Sequence, residues 1–270
     1  MNTVIRNNTT NYAIGLVLYH PDDHILKRID LMSGRGLHLY IYDNSPFSAI
    51  SEAILGKPGP IHYITAGHNV GVARSLSVLC ATAYAHGHHR LLFLDQDTRV
   101  GDHTLRFIDE YSGGLTAIEQ ERYAAIVFSG KHKGNCAGAD ATFAISSGSL
   151  FILGILRRIG WHNTKYFVEC VDYEFCLRSI HFGYRIRIVY NTPGFDHATE
   201  QPDREVCVCG KTLFVRRYAF ARIKDAFLAY IRLLGYTARI TRLDLSALVI
   251  RSMVIYFTGQ VIARLSVRTK

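Results

Sequence analysis

Two aspartates one residue apart, Asp95 and Asp97, stand with Gln96 between them at the end of the apolar run Leu91-Leu92-Phe93-Leu94. Carboxylates this close repel unless a cation neutralises them, and hard oxygen ligands suit Mg2+ or Mn2+ bridging a diphosphate. The same pair could instead cap a helix starting near Asp102, although delivery by an apolar strand favours the metal. Further polar groups gather where other runs stop: Tyr19-His20, Asp43-Asn44-Ser45, and the loop Gly67-His68-Asn69-Val70-Gly71. Asp172 lies on a segment whose helical face runs Val168, Val171, Phe175 and Leu177, so its carboxylate can project from a helix start. There it could act chemically, or only stabilise the helix dipole.

Positioning such groups together requires an open sheet. Tyr12–Tyr19, Leu37–Tyr42, Ile61–Ile64 and Arg90–Leu94 read as strands of apolar, β-branched and aromatic residues, separated by stretches of helical spacing. The alternation predicts an α/β protein with helices on both faces of the sheet. In such sheets ligands bind beyond the carboxyl ends of the strands, where all these polar groups fall. Asp22 or Asp23 is placed to cap the first helix.

The chain has 270 residues and a net charge of +9, with 49% hydrophobic and 20% charged residues, which excludes disordered and fibrous classes. The positive charge is local. From Arg204 to Lys270 there are 13 Lys and Arg against 3 Asp and Glu, leaving −1 for the rest. Two regions are therefore expected, residues 1–203 and a basic helical region 204–270, with the boundary near Gln201-Pro202-Asp203 and helices over Lys211–Leu234 and Arg242–Leu265. The apolar run Leu245–Ile262 is interrupted by Arg251 and reads as an interfacial or packed helix rather than a spanning one. Six cysteines without regular spacing read as reduced thiols. The polar stretch Met1–Asn11 does not resemble a cleaved signal, so a cytoplasmic location is expected. His86-Gly87-His88-His89 reads as surface histidines, since no carboxylate partners them.

The order Asp43-Asn44-Ser45, Asn69-Val70-Gly71-Val72-Ala73, Leu94-Asp95-Gln96-Asp97, Ser147-Gly148-Ser149, Val171-Asp172-Tyr173-Glu174-Phe175-Cys176-Leu177-Arg178 and Asp196-His197 resembles the family 2 glycosyltransferases, most closely the bacterial rhamnosyltransferases. The resemblance covers roughly residues 12–200. It implies a GT-A fold, a Rossmann-like and mostly parallel sheet. It also implies inverting transfer of a sugar from a nucleotide-diphosphate donor, with dTDP-L-rhamnose favoured and a UDP-sugar such as galactose or galactofuranose as alternative.

By that resemblance Tyr19, Asp43, Asn69, Gly71, Asp95, Gln96, Ser147 and Gly148 serve the nucleotide sugar. Asp95, Asp97 and His197 serve the metal, and Asp172 is the general base. A carboxylate such as Asp43 can indeed accept from a base N–H or a ribose hydroxyl. Trp161 is a candidate stacking platform for an acceptor sugar or a core residue. Glu174 is a reserve candidate on the acceptor side. The chain departs from the family at Gly160-Trp161-His162-Asn163-Thr164, where Asn163 replaces an acidic residue, and at Ser77, where a second Asn is usual. Relatives extend glycans on lipid diphosphates, so the partners implied are a nucleotide-sugar donor, a lipid-linked glycan acceptor and an anionic membrane surface met by the basic tail at the inner face of the cell membrane. No nucleic-acid motif surrounds Arg216-Arg217-Tyr218. A non-catalytic sugar-nucleotide or nucleic-acid binder is the competing class.

Overall fold

The structure is a computed structural model that describes residues 12–47, 50–197, 204–208 and 211–265. In chain order it runs β1 (Ala13–Leu18), α1 (His24–Gly34), β2 (Leu39–Asp43), α2 (Ser51–Leu55), β3 (Ile61–Thr65), α3 (Val72–Ala85), β4 (Arg90–Asp95), β5 (Thr98–Arg99) and α4 (Asp102–Gly113). It continues with α5 (Ala117–Arg122), β6 (Tyr123–Phe128), β7 (Gly138–Ala141), β8 (Ser149–Ile152), α6 (Leu153–Ile159), α7 (Val171–His181), β9 (Arg185–Val189) and β10 (Asp196–His197). The last elements are β11 (Arg204–Val208), β12 (Lys211–Val215), α8 (Phe220–Arg239) and α9 (Leu243–Leu265).

Eight strands form one sheet in the order β3-β2-β1-β4-β8-β6-β9-β7. The first four are mutually parallel; β8 runs antiparallel to both β4 and β6, and β7 antiparallel to β9. Along β1 the residues alternate between faces. Ala13 and Val17 join one apolar cluster, while Ile14, Leu16 and Leu18 join the other. Burial on both faces explains why the central strands read as nearly continuous apolar runs. The α/β expectation and the four leading strands hold, and Asp22 and Asp23 do cluster at the first helix start, with Asp22 Oδ1 accepting from His24 N at 3.0 Å.

One expectation fails. Lys211–Val215 does not begin a helix but pairs antiparallel with Arg204–Val208. Lys-Thr-Leu-Phe-Val is a β-branched and aromatic run whose preference is for a pleated strand, and the helix starts only at Phe220. The expected boundary at Gln201-Pro202-Asp203 lies outside the described residues. Ala229, Tyr230 and Leu233 of α8 and Leu245 and Val249 of α9 belong to the same buried cluster as α3, α6 and α7.

His162 lies in that cluster, stacked on Phe175 (ring centroids 5.0 Å apart) and edge-on to Phe151 (5.0 Å). Neither ring nitrogen has a hydrogen-bond partner among the described residues. Burial, with the nearby Arg178 charge, pushes its pKa down to about 3. Below the ordinary value near 6.5 the unfolded chain takes up a proton that the folded chain refuses, so stability falls as pH drops from about 6.5 toward 3, by up to about 1.4 kcal/mol per pH unit. Denaturant titrations of His162→Phe should show stability at pH 7 raised by about 1 kcal/mol, since two unsatisfied buried nitrogens are removed. The dependence on pH between 6.5 and 4 should flatten; an unchanged slope would show that another group carries it.

Candidate active site

The parallel strands end together at one edge of the sheet, and the predicted residues on β1, β2 and β4 meet there. At the end of β2, Asp43 is fully buried. Its Oδ1 accepts from Ser45 N at 2.8 Å and its Oδ2 from the Tyr63 hydroxyl at 2.7 Å. Asn44 ties this end to the next loop, donating from Nδ2 to Ser75 Oγ (2.9 Å) and accepting from Val70 N (3.2 Å). Asn69 closes its own turn by accepting from Gly71 N at 2.9 Å. Tyr19 N donates to Gln96 Oε1 at 2.8 Å, which joins the end of β1 to the Asp95-Gln96-Asp97 loop, and the Tyr19 ring is exposed. Tyr19, Asp43, Asn69, Gly71, Asp95 and Gln96 thus line one continuous rim.

Two glycines of the site loops stand directly against other protein segments. Gly71 has φ 83°, and a Cβ there would stand 2.5 Å from Phe167 Cδ2 and 2.6 Å from Phe167 O. Val72 N donates to that same carbonyl at 2.7 Å. Gly148 has φ 81°, and its Cβ would stand 2.5 Å from the Phe195 ring and 2.8 Å from Phe128 O. Each glycine admits another protein segment against the site loop.

Asp95 is the electrostatic centre. Loss of water around it, then the charges of Asp172 and Asp97, push its pKa up to about 7, against the lowering effects of Arg28 and the Ser147 hydroxyl. Ser147 is buried and accepts from Asp95 N at 3.0 Å while bonding Thr98 Oγ1 at 2.5 Å. Ser147 and Gly148 therefore sit behind the carboxylate. Helix α4 has Gly101 as its N-cap, with β5 intervening, so Asp95 and Asp97 do not cap it. Oxygen donors, clustered like charge and an elevated pKa suit a divalent cation. Among the described residues no three His, Cys, Asp or Glu side chains form a metal-ligating group, so a cation on Asp95 and Asp97 would take its other oxygens from ligand and water. The backbone of His197 pairs with Thr98, which brings it beside this loop; its side chain lies outside the described residues.

Asp172 occupies the first turn of α7, where the helix dipole favours a carboxylate. The Ser146 hydroxyl donates to its Oδ1. Cys170, just before, holds a left-handed backbone at φ 60°, an unfavourable state for a non-glycine residue that recurs at functional sites. The approach to α7 hangs on α8: Val168 N and Glu169 N both donate to Asp225 Oδ2 (3.1 and 2.9 Å), Arg222 pairs with Glu169, and Ser252 of α9 bonds the Tyr173 hydroxyl at 3.2 Å.

Two acceptor-side expectations are corrected. Glu174 is buried in an ion pair with Arg178 (Nε to Oε1 2.7 Å), whose guanidinium also donates to the carbonyls of Ile159, Gly160 and Trp161. It braces the 159–161 turn. Trp161 lies 5.9 Å, ring to ring, from Tyr84 near the carboxyl end of α3, whereas Gly71 and the site are at its amino end. Fourteen helical residues separate those ends by about 20 Å, so Trp161 packs on the core.

Arg28 is a site residue that sequence reasoning missed. From α1 it donates to the carbonyls of Gln96 and Asp95, the latter at 3.2 Å, and lies in the field of Asp95 and Asp97. Ser146 and Phe167 were missed too. No residue spacing marks Arg28 or Phe167, because each reaches the site from a distant element; Ser146 directly precedes the Ser147-Gly148-Ser149 stretch.

The Asp95 pKa has a consequence for stability. A carboxyl raised from its ordinary range to about 7 contributes stability at low pH that is lost as pH rises through 7. Without divalent cation, Asp95→Asn should melt higher than the unmodified protein at pH 8 and near it at pH 5. Adding Mg2+ or Mn2+ should raise the melting temperature of the unmodified protein only. Equal melting at pH 8 would refute the charge-clustering argument.

No family model matches the chain. A curated relative, dTDP-rhamnosyl transferase RfbF of Shigella flexneri, is 23% identical over 247 residues, covering 82% of this chain and 80% of the relative. Among solved structures, S. aureus TarS 1-349 superposes with a TM-score of 0.52 at 13% identity over 68% of this chain and 59% of its own. The same protein in complex with UDP-GlcNAc gives 0.51 at 12%, over 72% and 59%. GalNAc-T7 with UDP, GalNAc and Mn2+ gives 0.51 at 10%, over 68% and 43%. The chain thus spans less than two thirds of these structures, and at such identities they speak for the fold. Fold and sequence likeness agree: the chain has the GT-A fold and is similar in sequence to a glycosyltransferase.

Proposed function

We propose that the chain transfers a sugar from a nucleotide-diphosphate donor to an acceptor hydroxyl by a single, inverting displacement, with Asp172 as general base and Asp95 and Asp97 holding Mg2+ or Mn2+. The observation that supports this is that the adjacent residues Ser146 and Ser147 bind Asp172 and the Asp95 amide, which brings the two carboxylates into each other's field. Asp172 takes the proton of the acceptor hydroxyl while its oxygen bonds to the anomeric carbon and the bond from that carbon to the diphosphate oxygen breaks. Ser146 fixes the carboxylate that receives the proton. Asp43, with Tyr63 and Ser45 on its two oxygens, orients the nucleoside, and Arg28 holds the backbone of the Asp95-Gln96-Asp97 loop in place. The cation, when bound, neutralises the leaving diphosphate.

dTDP-L-rhamnose is the first donor to test, because the curated relative is named for that reaction. A UDP-sugar is the second, because the neighbouring structures are titled with UDP or UDP-GlcNAc. The acceptor we propose is a glycan on a lipid carrier, with the enzyme peripheral on the cytoplasmic face of the membrane. Supporting this, Phe220, Phe227 and Ile231 of α8 and Ile250, Val254 and Val261 of α9 are exposed. By length and composition α9 is also apolar enough to cross a membrane, with mean hydropathy 1.6 and only 17% of its apolar window buried.

Transfer and hydrolysis assays over a panel of dTDP-, UDP- and GDP-sugars test the chemistry. Asp172→Asn should lower turnover by about 10²- to 10⁴-fold with little change in donor binding, and chelator should abolish turnover. Activity that survives both Asp172→Asn and chelator overturns the assignment. In sedimentation with vesicles, anionic lipid should retain the protein more than neutral lipid, and Lys224→Glu/Arg251→Glu should weaken binding by about 30-fold or more, each cation being worth about 1 kcal/mol near the surface. Equal retention on neutral vesicles would argue against an electrostatic contribution.

A further inference from the structure

The strand end and α7 account for the carboxylates but leave a cleft of about 730 Å³ beside them unused. One wall is the segment 143–145. Its exposed Ile145 precedes Ser146, the donor to Asp172, and its Phe143 ring lies 4.6 Å from that of Tyr173. The other side carries Phe195 and Asp196, and Asp196 begins β10, which pairs with β5 directly after Asp97. Two of its walls are therefore segments that run directly into the carboxylate cluster, one ending a residue before Ser146 and the other pairing with the strand after Asp97. Its volume is that of a small-ligand site.

Its lining is two-sided. Phe143, Ile145 and Phe195 offer carbon, while Lys131 and Lys133 supply positive charge from an exposed stretch after β6. Lys133 Nζ stands 5.5 Å over the Tyr190 ring. Asp196 is the one carboxylate among the lining residues, so the two lysines leave a positive balance. An ammonium group gains most from an ionised oxygen acceptor, and a neutral sugar offers none.

We propose that this cleft, flanking the carboxylate cluster, is the acceptor subsite and that Lys131 and Lys133 make it select an acceptor carrying an anionic group, carboxylate or phosphate, next to an apolar portion. The proposal rests on the transferase reading above, with Asp172 as base. Calorimetric titrations of the full chain, with dTDP and Mg2+ present, would compare octyl glucuronide, octyl phosphate and octyl glucoside below their micelle concentrations. At least one anionic amphiphile should bind tenfold or more tightly than the glucoside. That preference should vanish in Lys131→Ala/Lys133→Ala and persist in Lys131→Arg/Lys133→Arg. Tighter binding of the glucuronide assigns a carboxylate, and tighter binding of octyl phosphate a phosphate. Equal binding of the neutral amphiphile, or a preference that survives the alanine pair, overturns the proposal. Donor hydrolysis by the unmodified protein, measured separately, keeps the two readings apart. Hydrolysis without anion preference defeats this inference alone, and lysine-dependent binding without any donor turnover defeats the transferase reading.

Discussion

Asp95, Asp97 and Asp172 are drawn together at the end of one apolar strand, where the mutual repulsion of their carboxylates is felt because little water is left to screen it. Much of the surrounding architecture makes that arrangement tolerable. Arg28 reaches across from α1 and spends its hydrogen bonds on the carbonyls of Asp95 and Gln96, so its charge is held near the acids without closing directly on them. Ser147 binds Asp95 from behind, Ser146 binds Asp172, and the amino end of α7 adds its dipole. A structure selected for stability alone would replace one of these acids; their retention is intelligible if a cation and a diphosphate complete the charge balance.

Rigidity at this rim comes from segments wedged against glycines. Phe167 presses on Gly71 and Phe195 on Gly148, each so closely that a single methyl group would collide with it. The loop before α3 is thereby locked to the approach to α7, and the segment carrying Ser147 is locked to the turn before β10. Positions that look like ligand clearances are joints between parts of the protein.

Much of this was legible in the sequence for a physical reason. Strand ends in an open sheet must be polar and continuous apolar runs mark its buried strands, so Asp43, Asn69 and Asp95 could be placed before any coordinates, and Asp172 by the helical face around it. What escaped depended on distant contacts. Arg28 is one basic residue beside Lys27 on an amphipathic helix, and nothing local says that it turns inward. The Glu174–Arg178 spacing, by contrast, is the four-residue interval of a helical ion pair and could have flagged Glu174 as structural. Trp161 was open between platform and core, and only the direction of α3 decides between them. Lys211–Val215 was drawn into a helix by the basic, apolar residues that follow it, against the strand preference of its own five side chains.

The bonds from Asp225 to the amides of Val168 and Glu169, with Arg222 on Glu169 and Ser252 on Tyr173, bear on how this chain can be divided. The entrance to α7 is suspended from α8 and α9 as much as from the sheet. The carboxyl-terminal helices are consequently part of the frame of the candidate site and cannot be treated as a tether attached to it. A graft that exchanges them between relatives has to bring a matching 165–173 segment, and shortening the chain before Phe220 would strip the partners of two amides while uncovering Tyr230 and Leu233. Any surface that grips these helices also grips the helix from which Asp172 projects.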